Sequence, residues 1–487
     1  MPHRLSKSRY TAGVQCHKLL WWKVHEPKAK ELQPGIVLQD RFDQGAQVGA
    51  LARERFPGGV LVDLPYYAVD ERVTRTKQLI AAGAPAIFEA SFLADNTHVM
   101  VDVLTRQDGG FHLTEVKSSS SQKEEHLPDA AVQVHVLERS GIHVTGVDIM
   151  HLSKECHFPD LSNLFERTDV TEAVAPLLGK IGWELDAQLA MLDGPLPEVP
   201  IGLNCHQPYE CPFMDRCWPH NPDHIMQFVG IGPTKGCAFM QSGVHRIADL
   251  PPKQKLNATQ KRQIKAMNEG RIIVEPGLAQ ALQALNGKLG FLDFETIQRA
   301  VPVWPGMAPW EQAPAQFSYH ESNGDGTHRH AEYLAEGPKD CRPELVRRML
   351  EATQGADKIA TYSHFEKTKI QALQKAVPEL KPDLEALEHK LVDLLPIVRD
   401  NVYHPEFLGS FSLKEVLPAL VPGLAYDDLV IVDGLEASVK IARLLFVAGK
   451  IAKEEHDRVR QDLLNYCERD TWAMVKVLER LRELSVS

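Results

Sequence analysis

The chain has 487 residues, 44% of them hydrophobic and 24% charged, with a formal net charge of −11. That length exceeds what one hydrophobic core holds and suits two large domains with a connector, while the negative balance excludes a polycation that coats nucleic acid but not carboxylate-rich sites with local basic contacts. No apolar run reaches the roughly 18 residues that span a bilayer, and the basic opening Met1–Tyr10 has no apolar stretch behind it, so the expectation is a cytoplasmic protein without a membrane contact.

Residues 1–222 read as a mixed α/β domain. An opening helix carries Cys16, Leu19, Leu20 and Trp22. Strands are predicted at Ala86–Ala94, His98–Thr105 and Phe111–Val116, the last two joined by the turn signal Gln107-Asp108-Gly109-Gly110. Helices follow over Asp129–Arg139 and Asp169–Leu192, and a Pro-rich stretch leads into Cys205, Cys211 and Cys217. Of eight cysteines these three fall within thirteen residues; in a long chain without a secretory signal, such clustering points to metal or catalysis rather than disulfides. Residues 223–286 read as a helical connector. In it Val229-Gly230-Ile231-Gly232-Pro233 precedes a helix, and Lys253–Arg271 carries six basic residues against the single acid Glu269. Residues 287–487 form a second α/β domain, with strands at Leu289–Phe294, Gln316–His320, Ala331–Ala335, Lys358–Tyr362 and Leu391–Leu395. Helices are expected at Phe365–Lys375 and over Glu454–Glu483.

Two sets of residues carry chemistry. Asp102 stands in the apolar strand Met100-Val101-Asp102-Val103-Leu104, where a lone carboxylate is costly to bury without a cation. In Glu115-Val116-Lys117 the outer two residues share a strand face, and a hairpin brings Asp102 beside them; Glu89 on the preceding strand is a third acid. Carboxylates there suit Mg²⁺ or Mn²⁺, and the ammonium positions a water. The bland alternative is an exposed Glu–Lys pair. In the second domain Asp293 and Glu295 share a face of Phe291-Leu292-Asp293-Phe294-Glu295-Thr296, where their repulsion favours a cation. Tyr466 and Asp470 are stacked four apart on a helix, and Glu366 follows Tyr362-Ser363-His364-Phe365 at a strand-to-helix junction. A solvated strand end and a helix surface are the bland alternatives here.

Asp102, Glu115 and Lys117, with Gln133 on the next helix, resemble the PD-(D/E)XK nuclease core, closest to the RecB-like branch that carries an iron–sulfur cluster. The resemblance implies a restriction-endonuclease-like mixed sheet and a [4Fe-4S] cluster on Cys16, Cys205, Cys211 and Cys217. The C-x5-C-x5-C spacing departs from the C-x2-C of common zinc sites; structural zinc, with His206 or His220 as a ligand, is the alternative. Gln47 stands where the branch has a metal-ligating histidine, and no tyrosine follows Gln133. The second set resembles the three motifs of the DEDD exonucleases of the tyrosine subclass. That implies an RNase H-like domain in which Asp293, Glu295, Glu366 and Asp470 hold two metal ions and Tyr466 orients the water. Glu366 replaces the family's aspartate, and Asp393 is a candidate to compensate. Val229–Pro233 resembles the hairpin of a helix-hairpin-helix unit, whose backbone N–H groups meet phosphate. Together the resemblances imply a two-site nuclease acting on nucleic acid, DNA favoured over RNA and with 3′–5′ polarity at the second site. They place it in DNA repair or defence against foreign DNA, with a helicase as partner. The competing expectation is an iron–sulfur scaffold that binds nucleic acid with decayed sites, for which Gln47 and Glu366 speak.

Overall fold

Asp95 and Asn96 both adopt the left-handed backbone (φ 49° and 54°), the geometry that a two-residue hairpin turn requires. They join β3 (Ala86–Ala94) to β4 (Thr97–Gln107), and Asp108-Gly109 turns β4 into β5 (Gly110–Val116). In the computed structural model, which describes residues 3–447 and 452–486, these antiparallel strands form the middle of a seven-stranded sheet. Its order is β2 (Val60–Leu61), β3, β4, β5, β6 (Val144–Leu152) and β7 (Phe165–Asp169), with β1 (Leu5–Ser6) parallel to β4. The His126–Arg139 helix crosses from β5 to β6, which therefore pair in parallel. This helix and the Thr171–Leu192 helix cover the sheet and supply much of its core, including Ala130, Val136, Leu137, Ile181 and Leu185.

The chain divides into two compact units. The first is Met1–Trp218 with Arg299–Val303 and Ala308–Trp310; the second is Pro219–Gln298, Trp304–Met307 and Glu311–Ser487. The residues read as a connector thus belong to the second unit. There β8 (Ile273–Val274) pairs with β14 (Val402–Tyr403), while the main sheet takes the order β11 (His328–Leu334), β10 (Gln312–Ser322), β9 (Leu289–Gln298), β12 (Lys358–Thr361), β13 (Leu391–Asp393). Strands β9, β10 and β11 are antiparallel neighbours, and β12 and β13 run parallel to β9. Both sheets are mixed and neither closes into a barrel. Among the described residues no helix is long and apolar enough to cross a membrane.

Three local expectations are corrected. The opening helix is two, Lys7–Gln15 and His17–His25, broken at an extended Cys16 (φ −165°, ψ 121°). Cys16 N–H still bonds Ala12 O at 2.9 Å and Cys16 O accepts from Leu20 N–H at 3.1 Å, so the break leaves no orphaned group at Cys16 and the apolar pattern runs through it. The strand expected over Leu391–Leu395 ends at Asp393, whose carboxylate caps Leu395 N–H at 2.9 Å and starts the Leu394–Asn401 helix. The basic run 253–271 is in part structural. The Ala258–Glu269 helix opens on an Asn257–Gln260 capping box, and buried Arg262 donates to Arg399 O at 2.8 Å, Asp400 O at 2.6 Å and Glu275 at 2.9 Å. Lys261 and Lys265 remain exposed. Gly230 and Gly232 ahead of the Gly232–Gln241 helix are both left-handed (φ 69° and 63°), which explains glycine at both positions. Arg262→Ala removes a buried side chain with the hydrogen bonds it gives to Arg399 O, Asp400 O and Glu275 and should cost about 1–3 kcal/mol in chemical denaturation, whereas Lys261→Ala should stay within about 0.5 kcal/mol.

Candidate functional site

In the first unit the β4–β5 ladder stops at Val103–Thr114, and beyond it the Asp102 carboxylate itself takes the Val116 N–H at 2.7 Å. The strands part there and open a pocket of charge. Glu115 projects into it, fully buried, its Oε1 accepting from Lys117 Nζ at 2.8 Å and from Lys7 Nζ at 2.7 Å, its Oε2 from Gln133 Nε2 at 2.8 Å. Lys117 also donates to Asp129, one helical turn before Gln133, and Lys7 lies 3.6 Å from the same carboxylate. Burial raises the Glu115 carboxyl, but Lys117 and Lys7 outweigh it and hold it well below the usual range. Burial likewise works against both ammonium groups, and Glu115 and Asp129 outweigh it, keeping them protonated. Asp102, half-buried with its carboxyl turned inward, is pushed up to about 7 by desolvation and by the Glu115 charge.

Glu89 interrupts the β3–β4 pairing between Phe88–Val103 and Ala90–Val101, the gap that faces Asp102. Its backbone is left-handed (φ 56°), an unfavourable state for a glutamate. Buried Arg72 holds it there, donating to Glu89 O at 3.1 Å and to Ser91 Oγ at 3.0 Å. Burial raises the Glu89 carboxyl. Asp102, Glu115, Lys117 and Gln133 are thus brought together as expected of them, with Glu89 opposite. Gln47 is not: it is exposed on the Ile36–Arg53 helix. Buried Gln44 of the same helix faces inward, bonded to Asp40 and to Ala300 N–H.

Cys16, Cys205, Cys211 and Cys217 line one cavity, walled by Leu19, Trp22, Phe213 and Trp218. Burial lifts the Cys211 thiol to about 11, with the other three thiols adding to the shift. Arg216 ties the cavity's edges: it donates to Glu26 and Glu31 at 2.6 and 2.8 Å and lies over the rings of Trp22 and Phe213. His206 and His220 are not part of the cavity lining.

In the second unit Asp293, Glu295 and Asp470 gather, one oxygen from each within 4.8 Å of the others. The first two come from β9, the third from the Lys453–Val486 helix. Glu366, in the first turn of the Phe365–Ala376 helix, adds its charge to Asp293 and Glu295, and its buried Oε2 has no hydrogen-bond partner. Burial raises all four, and neighbouring acids add to it at Asp293, Glu295 and Glu366: Asp293 and Glu295 stand well above the carboxylate range, Glu366 at about 8, Asp470 at about 6. Asp470 accepts from the hydroxyl of Tyr426 at 2.5 Å, with Tyr466 one helical turn away on the same face. Lys414 adds a favourable charge to Glu295 and Asp470 and lies 5.2 Å from the Tyr466 ring centre. Cys467 Sγ reaches Asp293 at 3.5 Å. Asp393 does not join the acids as a fourth or fifth oxygen. Its Oδ1 takes the N–H groups of Leu395 and Ser363, both at 2.9 Å, and so fixes the left-handed Ser363 (φ 117°) that aims Glu366.

Sequence reasoning missed Lys7, Asp129, Tyr426 and Lys414. Asp129 was available as the residue one turn before Gln133. Lys7 and Lys414 had no local signal, since each meets acids far away in the chain. A further group, His320, His330 and Glu468, also gathers ligand atoms within 4.8 Å; burial, with His330 and His328 nearby, lowers His320 to about 3.

Residues 290–412 match a family described as a domain of unknown function (DUF2779). The match includes Asp293, Glu295, Glu366 and Asp393 and ends before Lys414, Tyr426, Tyr466 and Asp470. No curated protein and no solved structure matches the chain.

Raised folded-state pKa values mean that folding takes up protons, so stability falls as pH climbs from about 4 through the 6 of Asp470 and the 8 of Glu366. In chelator, melting temperature should drop over that range. Glu366→Gln should raise it at pH 8 and weaken the stabilisation that added Mn²⁺ gives the unaltered protein, which thermal scans with and without metal will read.

Proposed function

We propose that the chain is a metal-dependent nuclease whose second unit degrades nucleic acid, DNA above all, from the 3′ end. The observation that carries this reading is the convergence of Asp293, Glu295 and Asp470 within 4.8 Å, joined by Glu366 and answered by too little positive charge of the protein's own. The acids would hold divalent ions, Mg²⁺ or Mn²⁺, which supply positive charge where negative charge develops on a phosphodiester. Tyr466, one turn before Asp470 on the same helix face, is placed to orient a water, and Lys414 is placed to meet a phosphate. The sheet supports the same reading: numbered from β9, its order is 3-2-1-4-5, with three antiparallel strands followed by two parallel ones, as an RNase H-like fold requires. Asp293→Ala should lower 3′-end degradation of labelled DNA by orders of magnitude, and Tyr466→Phe by less, with metal binding retained. Equal degradation by wild type and Asp293→Ala would overturn the assignment.

The first unit supports a PD-(D/E)XK reading through its element order, the Val69–Ala81 helix, β3, β4 and β5, the His126–Arg139 helix, then β6, and through the position of Lys117 beside Glu115. A second reading of that site, as a binding surface without cleavage, has one observation in its favour. Lys7 already neutralises Glu115, at the point where a metal would bind. The scaffold reading predicts that Lys117→Ala changes no cleavage activity; the nuclease reading predicts that it abolishes one and spares the 3′-end activity. A setting in DNA repair or defence, beside a helicase, rests on the resemblance.

For the cysteine cavity we infer a [4Fe-4S] cluster rather than zinc. Four cysteines line the cavity and neither His206 nor His220 does, a sulfur-only set whose C-x5-C-x5-C spacing departs from the C-x2-C of common zinc sites. Protein purified without oxygen should be brown and contain iron, and Cys211→Ser should lose colour and melt earlier, since ligation is coupled to folding. A colourless protein with stoichiometric zinc would overturn the inference.

A further inference from the structure

We infer that His320, His330 and Glu468 form a separate binding site for a zinc-class transition-metal ion, on β10, β11 and the helix that also carries Asp470 of the acid cluster. His320 and His330 are paired across β10 and β11, and Glu468 reaches them from the Lys453–Val486 helix. One atom from each lies within 4.8 Å of the other two. Two imidazoles and a carboxylate suit zinc better than the hard ions that all-oxygen sites select.

The surrounding hydrogen bonds prepare both rings for an ion. Thr471 Oγ1 donates to Glu468 O at 3.0 Å, so it accepts from His320 Nδ1 and Ser318 Oγ, each at 2.8 Å. Ser318, having given its proton to Thr471, accepts from His330 Nε2 at 2.9 Å. The chain of donors leaves His320 Nε2 and His330 Nδ1 unprotonated, the form that binds metal, and supplies the outer N–H partner that ligating histidines require. His330 Nδ1 stands 3.9 Å from Glu468 Oε1, too far for a hydrogen bond and a fitting span for two ligands of one ion. The rings stack with centres 4.5 Å apart, and His330 is open to solvent, so its ring can turn onto the ion without disturbing the core. Three protein ligands leave a fourth position for water. Because Glu468 lies two residues before Asp470, an ion here would pin the helix that completes the acid cluster.

Chelator-treated full-length protein in excess Mg²⁺ is titrated with Zn²⁺, and bound zinc is measured after desalting. Wild type should retain one more zinc per chain than His330→Ala or Glu468→Gln. Thr471→Val should weaken that ion about 10–100-fold. Asp293→Asn and Cys211→Ser should keep it. His330→Ala replaces a surface side chain and Glu468→Gln preserves size, so both remain folded, as melting will check. Equal zinc in wild type, His330→Ala and Glu468→Gln would overturn the site. Loss of the same ion in Asp293→Asn would assign it to the acid cluster instead. Zinc stoichiometry is read without reference to cleavage, so the outcome stands whatever the nuclease assays give.

Discussion

A buried carboxylate must meet a cation or a donor, because leaving water costs it several kcal/mol. In the first unit Glu115 is answered from within by Lys7, Lys117 and Gln133, and Lys117 is answered in turn by Asp129. The second unit leaves the same demand open. Burial raises the proton affinity of Asp293, Glu295, Glu366 and Asp470, the charge of neighbouring acids adds to it at the first three, and Lys414 offsets only part of it. One site is internally balanced and the other carries a deficit that a divalent ion fits.

Both sites sit where strands stop pairing. The β4–β5 ladder ends at Val103–Thr114, and Asp102 takes over the next N–H with its side chain. At the β12 end the turn through Ser363 is fixed by Asp393, a carboxylate from the neighbouring strand. In each case a side chain supplies a bond that the backbone ladder would otherwise make. The polar groups left over are then free to face the chemistry. Glu89 fits this pattern as well: its left-handed backbone persists because buried Arg72 holds the carbonyl.

Periodicity made part of this legible. The alternation in β4, β5 and β9 placed Asp102, Glu115, Asp293 and Glu295 on the correct faces, and the four-residue spacing put Tyr466 with Asp470. Turn chemistry marked the Asp108-Gly109 hairpin. Partners brought in by tertiary packing were hidden: Lys7 meets Glu115 across 108 residues, and Tyr426 meets Asp470 across 44. Charge patterning misled in the run from Lys253, because composition cannot separate the exposed Lys261 and Lys265 from Arg262, which is committed to internal carbonyls. The break at Cys16 was invisible for a different reason: a single extended residue whose own hydrogen bonds are kept leaves the apolar spacing intact.

That break gives the Lys7–Gln15 helix a particular mechanical character. It is a rigid rod with an ammonium near one end and a thiol just past the other, about 13 Å apart at 1.5 Å per residue. Lys7 is anchored in the acid pocket and Cys16 lines the cysteine cavity. Two and a half helical turns thus join the acid pocket, through Lys7, to the cysteine cavity, through Cys16.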